Sequence, residues 1–373
     1  MLGPGDPVPS FSARSLANPR YAFDSVAGRY IVLSFLGSSH VPGAALFHQR
    51  LTERTHPFDD AFASAFLISC DPRDLTQCGW TERYPGIRVF LDSDRTLAKL
   101  FGCLRAMPNG TEQIALTTWI LDPGLRVLKV LPIEDVATHE EAIRAALHGL
   151  PSPAEDGESH APILTVPNIL EPEFCRALIA HAEAEGLEDS GYMKTDPATG
   201  QTVMVVDHNH KRRMDCSITD EALRSGLQAR ILRRLVPQIE RAFQFRATRI
   251  ERTIISCYDA GTGGYFRPHK DNTTLGTAHR RFAVSLGLNA EDYAGGDLRF
   301  PEFGRRTYRP PTGGAVIFSC SLLHEATPVT HGRRYAVLPF LYDEAAAAIR
   351  LNNARHLQDE TLRDSVIASV TGA

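Results

Sequence analysis

The residues best placed by type and spacing to do chemistry together are His269, Asp271 and His324. His269 and Asp271 are separated by one residue, so on an extended segment their side chains leave the same face. His324 comes much later, after the apolar run AVIFSC, and would arrive from a different strand. Two imidazoles and one carboxylate on one face of an octahedron suit Fe(II) and leave three coordination positions open. A 2-oxo acid that chelates through two atoms would fill two of them, and O2 the third. A lone His-x-Asp triplet is weak evidence, because His and Asp near a turn are more often solvated than ligating. The neighbouring segments have to decide.

They do so in combination. Ten residues after His324, in HEATPVTHGRRY, lies Arg334, whose guanidinium can pair bidentately with a carboxylate. Its neighbour Arg333 is sent to the opposite face by strand alternation. Tyr258, in SCYDAGTGGYFRPHKD, offers a phenol to the same carboxylate. GGDLRFPEFG (Gly295–Gly304) fits a tight connection between strands, and TGGAVIFSCSLLHEATPV brings His324 to the end of a buried strand.

From residue 163 to about 343 this pattern resembles the Fe(II)/2-oxoglutarate-dependent oxygenases, in particular their prolyl 4-hydroxylase-like branch. The matching positions are Tyr258, Gly263-Gly264, His269 and Asp271, Arg281 to Asn289, Gly295-Gly296-Asp297 to Phe300, Gly314 to Phe318, and His324 to Arg334. The opening VPNILEPEFCRALI (Val166–Ile179) is also similar. The resemblance implies a double-stranded β-helix, or jelly roll, with Fe(II) at its mouth held by His269, Asp271 and His324. It further implies 2-oxoglutarate held at its distal carboxylate by Arg334 with help from Tyr258, and ascorbate as an optional supporting reductant. Asp271 is present where the family's halogenases carry a small residue, so hydroxylation of an unactivated C–H bond is expected, releasing succinate and CO2. A small molecule or a peptide, together with O2, is the expected partner. The competing reading is a binding or scaffold protein that kept the barrel and lost turnover, and the complete set of ligands plus Arg334 argues against it.

Other polar residues carry weaker signals. Gly191–Asp215 reads as a hairpin before the barrel, either covering substrate or without a role. His208 and His210 in it are more simply solvated than ligating. Arg213 and Arg281 are candidate substrate contacts. Cys320 is most simply a small buried apolar residue.

The elements that must position these residues follow from the rest of the chain. Its 373 residues exceed one ordinary core. A formal charge of −4 gives no basic field for nucleic acid or an anionic membrane, and no apolar run reaches membrane-spanning length. Seven scattered Cys, without a CxxC pair, argue against zinc or a disulfide framework and for reduced thiols in a cytoplasmic protein. The polar stretch 151–162 reads as a linker. Beyond it, amphipathic helices over Glu171–Gly186 and within Asp220–Phe243 precede many short strands, an α+β domain over 163–345. A mixed polar helix closes the chain as a tail over 346–373.

Before the linker, YIVLSFL (Tyr30–Leu36), AFLIS (Ala65–Ser69) and IRVFLD (Ile87–Asp92) read as buried strands. Helices are expected near Ala44–Thr55, after Asp92 or Ser93, and near His139–Leu150. LTTWILDPGLRVLKVL reads as a hairpin turning at Asp122-Pro-Gly124. This α/β domain, 1–150, resembles a peroxiredoxin or thioredoxin-like fold in its opening GDPVPSFSARSL, its first core strand and its late hairpin. It departs where that family keeps its peroxidatic Cys, since GSSHVPGAALFHQ contains none. The expected role is therefore an interaction module, one that shapes substrate access, or one through which a homodimer forms.

Overall fold

Buried strands and amphipathic helices recur in both halves of the chain, but their arrangement differs. The computed structural model describes all residues except 54, 108, 109, 111, 154–159 and 372–373, so half of the expected linker lies outside the described residues. The contacts divide the chain into two units, Met1–Ser159 with Pro301–Arg305, and His160–Phe300 with Arg306–Ala373.

The first unit is built on a five-stranded sheet in the order Ile87–Leu91, Ala63–Ser69, Tyr30–Gly37, Thr117–Leu121, Val127–Pro132. The first three strands are parallel and the last two antiparallel to their neighbours. Tyr30–Leu36 is buried on both faces, which is why it reads as a continuous apolar run rather than an alternating one. Phe47 and Leu51 of the helix Ala44–Glu53, and Ile143 and Leu147 of His139–Leu147, pack against Val32, Ala65 and Ile120. The helix expected after Asp92 begins at Thr96, and Asp92 satisfies its start by accepting from the amides of Leu97 and Ala98 at 2.8 and 2.9 Å. Ala44, fully buried, is the first residue of the helix that follows the first core strand.

The second unit distributes its strands between two main sheets. One runs Leu164–Val166, Ala315–Ser319, Phe282–Gly287, Arg333–Val337, Ile254–Asp259, Met214–Ser217, Glu188–Asp189. The other runs Lys211–Arg212, Tyr265–His269, His324–Ala326, Leu298–Arg299, Thr307–Tyr308. From Ile254 onward the chain alternates between them: Ile254–Asp259 in the first, Tyr265–His269 in the second, Phe282–Gly287 back in the first, and so on to Arg333–Val337. Every neighbouring pair is antiparallel, as short crossings between two sheets require. The run YAVLPFLY is two strands, Arg333–Val337 and Phe340–Tyr342, because Pro339 cannot donate to a ladder.

Helices cover the first of these sheets. Pro172–Glu185 starts with Pro in its first turn and stops at Gly186. The long helix expected within Asp220–Phe243 forms, opened by the Asp220 carboxylate accepting from the Leu223 amide, but it is interrupted by a π-helical turn over Ile231–Leu235. Pro237 explains the interruption, since its ring excludes the regular bond to the carbonyl four residues back. Leu178, Leu227, Ile231, Leu235 and Ile239 share one core with Ile255, Val284, Leu286, Ile317 and Val337. The terminal segment differs from the single helix expected. It forms Glu344–Asn353 and Glu360–Thr371, separated where Leu357 bridges to Thr202 and the Gln358 amide donates to the Thr202 carbonyl.

Candidate metal centre

His269 is the last residue of its strand and stands directly across from His324, the first residue of the neighbouring strand. Asp271 lies just past the strand end, where its amide donates to the Cys320 carbonyl at 3.0 Å. The extended segment ends two residues short of Asp271, and the turn supplies the remaining approach. One donor atom from each of the three residues falls within 4.8 Å of the others. The Asp271 oxygens lie 3.7 Å from His269 Nε2 and 3.4 Å from His324 Nε2.

The two imidazoles are oriented by their own backbones. His269 Nδ1 is 2.8 Å from the Arg267 carbonyl and His324 Nδ1 is 3.0 Å from that of Leu322. A carbonyl only accepts, so Nδ1 carries the proton and Nε2 of each ring presents a lone pair. Burial, and then the adjacent His324, push the His269 imidazole well below its ordinary range and keep it neutral. Phe266 stacks on His269 with centroids 3.5 Å apart, and Phe318 lies 4.5 Å from His324. The donor set, the tautomers and the low exposure fit a divalent first-row metal.

A second layer holds this site. Arg280 reaches toward the Asp271 carbonyl at 3.4 Å and pairs with Glu251 at 2.7 Å. Glu251 also takes His279 Nε2 at 2.6 Å. Burial alone would raise the Glu251 carboxyl, but Arg280 and His279 outweigh it and hold it well below its usual range.

Arg334 is buried, at 3 % exposure, and sits opposite Tyr258 in the ladder, with its guanidinium 5.1 Å from the phenol ring centroid. It donates to the Gly296 carbonyl at 2.7 Å and to Ser285 Oγ at 2.9 Å. Two donations leave the guanidinium further N–H groups for a carboxylate. The paired glycines make this approach possible. A Cβ on Gly295 would lie 2.2 Å from the Pro328 carbonyl, and one on Gly296 would lie 2.7 Å from Val329 and 3.3 Å from Arg334. Arg333 points the other way, more than half exposed, and pairs with Asp259 at 2.7 Å.

The remaining candidates are dispersed. His208 is exposed and pairs with Asp189, and Arg281 donates to the Ala278 carbonyl. His210 lies tilted against Tyr192 and edge-on to Phe266. Cys320 is fully buried, and burial and then Asp271 hold its thiol well above its ordinary range. The stretch Gly191–Asp215 contains the expected hairpin, with Tyr192–Thr195 paired to Thr202–Val205. The sequence pattern does not single out Ser285, Lys211 or the Glu251–His279–Arg280 group.

Residues 253–342 match the model of the 2OG-Fe(II) oxygenase superfamily, and residues 4–130 match that of the AhpC/TSA family. A PKHD-type hydroxylase from Synechococcus sp. strain JA-2-3B'a(2-13) is 30% identical over 154 residues, which covers 34% of this chain and 68% of that protein. The chain belongs to the 2OG-Fe(II) oxygenase superfamily. This oxygenase therefore has Fe(II) as the cofactor its family implies and 2-oxoglutarate as the implied cosubstrate. Its enzyme class is that of a prolyl hydroxylase-like dioxygenase. Solved structures similar to parts of the oxygenase include two of different kinds. One is peroxidoxin BcpB from Mycobacterium tuberculosis, 21% identical, covering 41% of this chain and 100% of that one at a TM-score of 0.34. The other is a prolyl hydroxylase in complex with a hypoxia inducible factor oxygen degradation domain peptide fragment, from Trichoplax adhaerens. It is 18% identical and covers 50% of this chain and 86% of that one at a TM-score of 0.37. The first unit, a mixed five-stranded sheet with helices, is thioredoxin-like in its strand order. Among the described residues no helix is long and apolar enough to cross a membrane.

Proposed function

We propose that this oxygenase hydroxylates an unactivated C–H bond in a 2-oxoglutarate-dependent reaction, with His269, Asp271 and His324 as Fe(II) ligands. The observation that carries the reading is the convergence of three donor atoms within 4.8 Å, in a domain that also buries Arg334. When bound, Fe(II) with 2-oxoglutarate and O2 supplies the oxidising power, with succinate and CO2 as co-products. The protein's own contribution is placement. The Arg267 and Leu322 carbonyls fix both imidazole tautomers, and Arg280 holds the Asp271 backbone. Arg334 takes the distal carboxylate of 2-oxoglutarate, Ser285 and Gly296 fix the guanidinium, and Tyr258 packs beneath it.

In this reading the strands that alternate between the two sheets over 163–345 form a double-stranded β-helix, with Tyr265–His269 and His324–Ala326 at its mouth. Residues 1–150 form a separate non-catalytic domain, and 346–373 a helical tail. The substrate is a peptidyl or free amino acid or a natural-product intermediate. The test is anaerobic titration with Fe(II) and 2-oxoglutarate, followed by mass spectrometry of candidate substrates after exposure to O2. A gain of one oxygen matched by stoichiometric succinate supports the assignment. Failure to bind Fe(II) or 2-oxoglutarate rejects it.

A further inference from the structure

One group of charged side chains in the second unit lies outside the residues assigned to metal and 2-oxoglutarate. Lys211, Arg213 and Arg252 gather around Asp215. Arg213 Nη2 donates to Asp215 Oδ2 at 2.7 Å, Arg252 lies 3.6 Å from the same oxygen, and Lys211 donates to Ser190 Oγ at 2.8 Å and to the Gly191 carbonyl at 2.6 Å. Asp215 also accepts from Ser256 Oγ at 2.7 Å and from Ser190 Oγ. Lys211 and Arg213 are 3 % and 7 % exposed, and Arg252 is half-buried. Among the described residues, three basic side chains thus gather around one carboxylate. Two other acids whose charges reach Lys211 and Arg252 are committed elsewhere, Asp271 at the metal centre and Glu251 to His279 and Arg280.

The position of the group matters as much as its charge. Lys211 sits across from Phe266, its amine 5.2 Å from the ring that stacks on His269. The Arg213 guanidinium lies 5.9 Å from the Tyr258 ring, the same ring that Arg334 approaches at 5.1 Å. The cations therefore adjoin both the metal ligands and the residue assigned to 2-oxoglutarate. Arg213 Nε is buried without a hydrogen-bond partner among the described residues. An orphaned, charged donor in a low-dielectric site is costly unless a ligand completes it. Burial, and then Arg213, push the Lys211 amine down to about 6, so this buried lysine can shed its proton near neutral pH. Arginine has no such escape, because it stays protonated.

We propose that Arg213, with Lys211 and Arg252, receives an anionic group of the prime substrate, a carboxylate or a phosphate, separate from the 2-oxoglutarate carboxylate at Arg334. The substrate class is thereby narrowed to molecules that carry an anion close to the carbon oxidised. This inference rests on the proposed oxygenase reading.

The experiment is calorimetric titration, without O2, of the full chain saturated with Mn(II) and 2-oxoglutarate. The probes are N-acetyl-aspartyl amide and N-acetyl-phosphoseryl amide, with N-acetyl-asparaginyl amide and N-acetyl-seryl amide as neutral counterparts. At least one anionic probe should bind about tenfold or more tighter than its neutral counterpart, and which one does so identifies the anion. Arg213→Met and Lys211→Met should remove the difference while 2-oxoglutarate affinity stays within about twofold, and Arg213→Lys should keep part of it. Should Arg213→Met fail to fold, Arg252→Met supplies the same comparison. A wild-type protein that ignores probe charge, or variants that weaken only 2-oxoglutarate, would overturn the proposal. Absence of 2-oxoglutarate binding to the wild type would instead reject the oxygenase reading beneath it.

Discussion

Tyr258 and Arg334 are cross-strand partners, and the next rung of the same ladder pairs Asp259 with Arg333. Alternation along the two strands turns the first pair into the interior and the second to the surface, so adjacent arginines occupy opposite environments. Removing a buried guanidinium from its carboxylate partner typically costs about 2–5 kcal/mol. Arg334→Ala should therefore weaken 2-oxoglutarate by that amount while Fe(II) affinity changes little. Arg333→Ala leaves only an exposed pair broken and should be mild. Titration of 2-oxoglutarate into both variants checks this, and a reversed order would mean that the strand register is wrong by one.

The metal centre makes a sharper demand. Each of His269, Asp271 and His324 supplies a donor atom that the other two do not replace. His269→Ala, Asp271→Ala and His324→Ala should each abolish stoichiometric Fe(II) binding in anaerobic titration, with folding preserved by circular dichroism. Phe266→Leu, which removes only the ring stacked on His269, should retain binding at reduced affinity. Stoichiometric iron in the His324→Ala protein would sink the assignment.

The central residues were legible in the sequence because their chemistry is carried by type and local spacing. His269 and Asp271 share a short segment, His324 follows closely on an apolar strand although it opens the next one, and Arg334 follows at a fixed interval. Strands such as Tyr30–Leu36 and helices such as Pro172–Glu185 were legible for a similar reason, since burial on both faces or on one stripe leaves its period in the chain. What could not be read is what long-range pairing creates. Ser285 looks like any small strand residue until Arg334 arrives beside it, and Glu251 reveals nothing until His279 and Arg280 close on it. The π-helical turn had a local cue in Pro237, which a helical-spacing argument passed over. The break in the terminal helix had none, because it depends on Thr202, far away in the chain.

The Glu251 group should make the second unit acid-sensitive. Burial holds the His279 imidazole below its ordinary 6.5 despite the pull of Glu251, and the Glu251 carboxyl lies well below 4.5 against the effect of burial. In both cases the unfolded chain takes up protons at a pH where the native protein does not. Stability should therefore fall as pH drops below about 6.5 and fall further below about 4.5. Glu251→Gln leaves Arg280 buried without its charge partner and should cost about 3–5 kcal/mol at neutral pH. Denaturant unfolding of both proteins at pH 7 and pH 5 reads the effect. An unchanged midpoint in the variant would show that this group does not support the fold.

The last expectation concerns the first unit. A peroxidatic thiol needs a lowered pKa, which in a thioredoxin-like fold comes from the start of the helix after the first core strand. That position is Ala44, preceded by Ser38, Ser39, His40, Val41, Pro42 and Gly43, none of which can form a sulfenic acid. The thiols elsewhere in this unit are poised the other way. Burial, and then Asp92, hold Cys70 far above its ordinary range, burial pushes Cys103 up to about 12, and burial also raises Cys78. At neutral pH none of them is held as thiolate, so each attacks peroxide slowly. Full-length protein given thiol reductant should consume hydrogen peroxide no faster than buffer, and Cys70→Ser and Cys78→Ser should change nothing. Thiol-dependent turnover by the unaltered protein, lost on changing Cys70 or Cys78, would show that this unit keeps a peroxidase chemistry of its own.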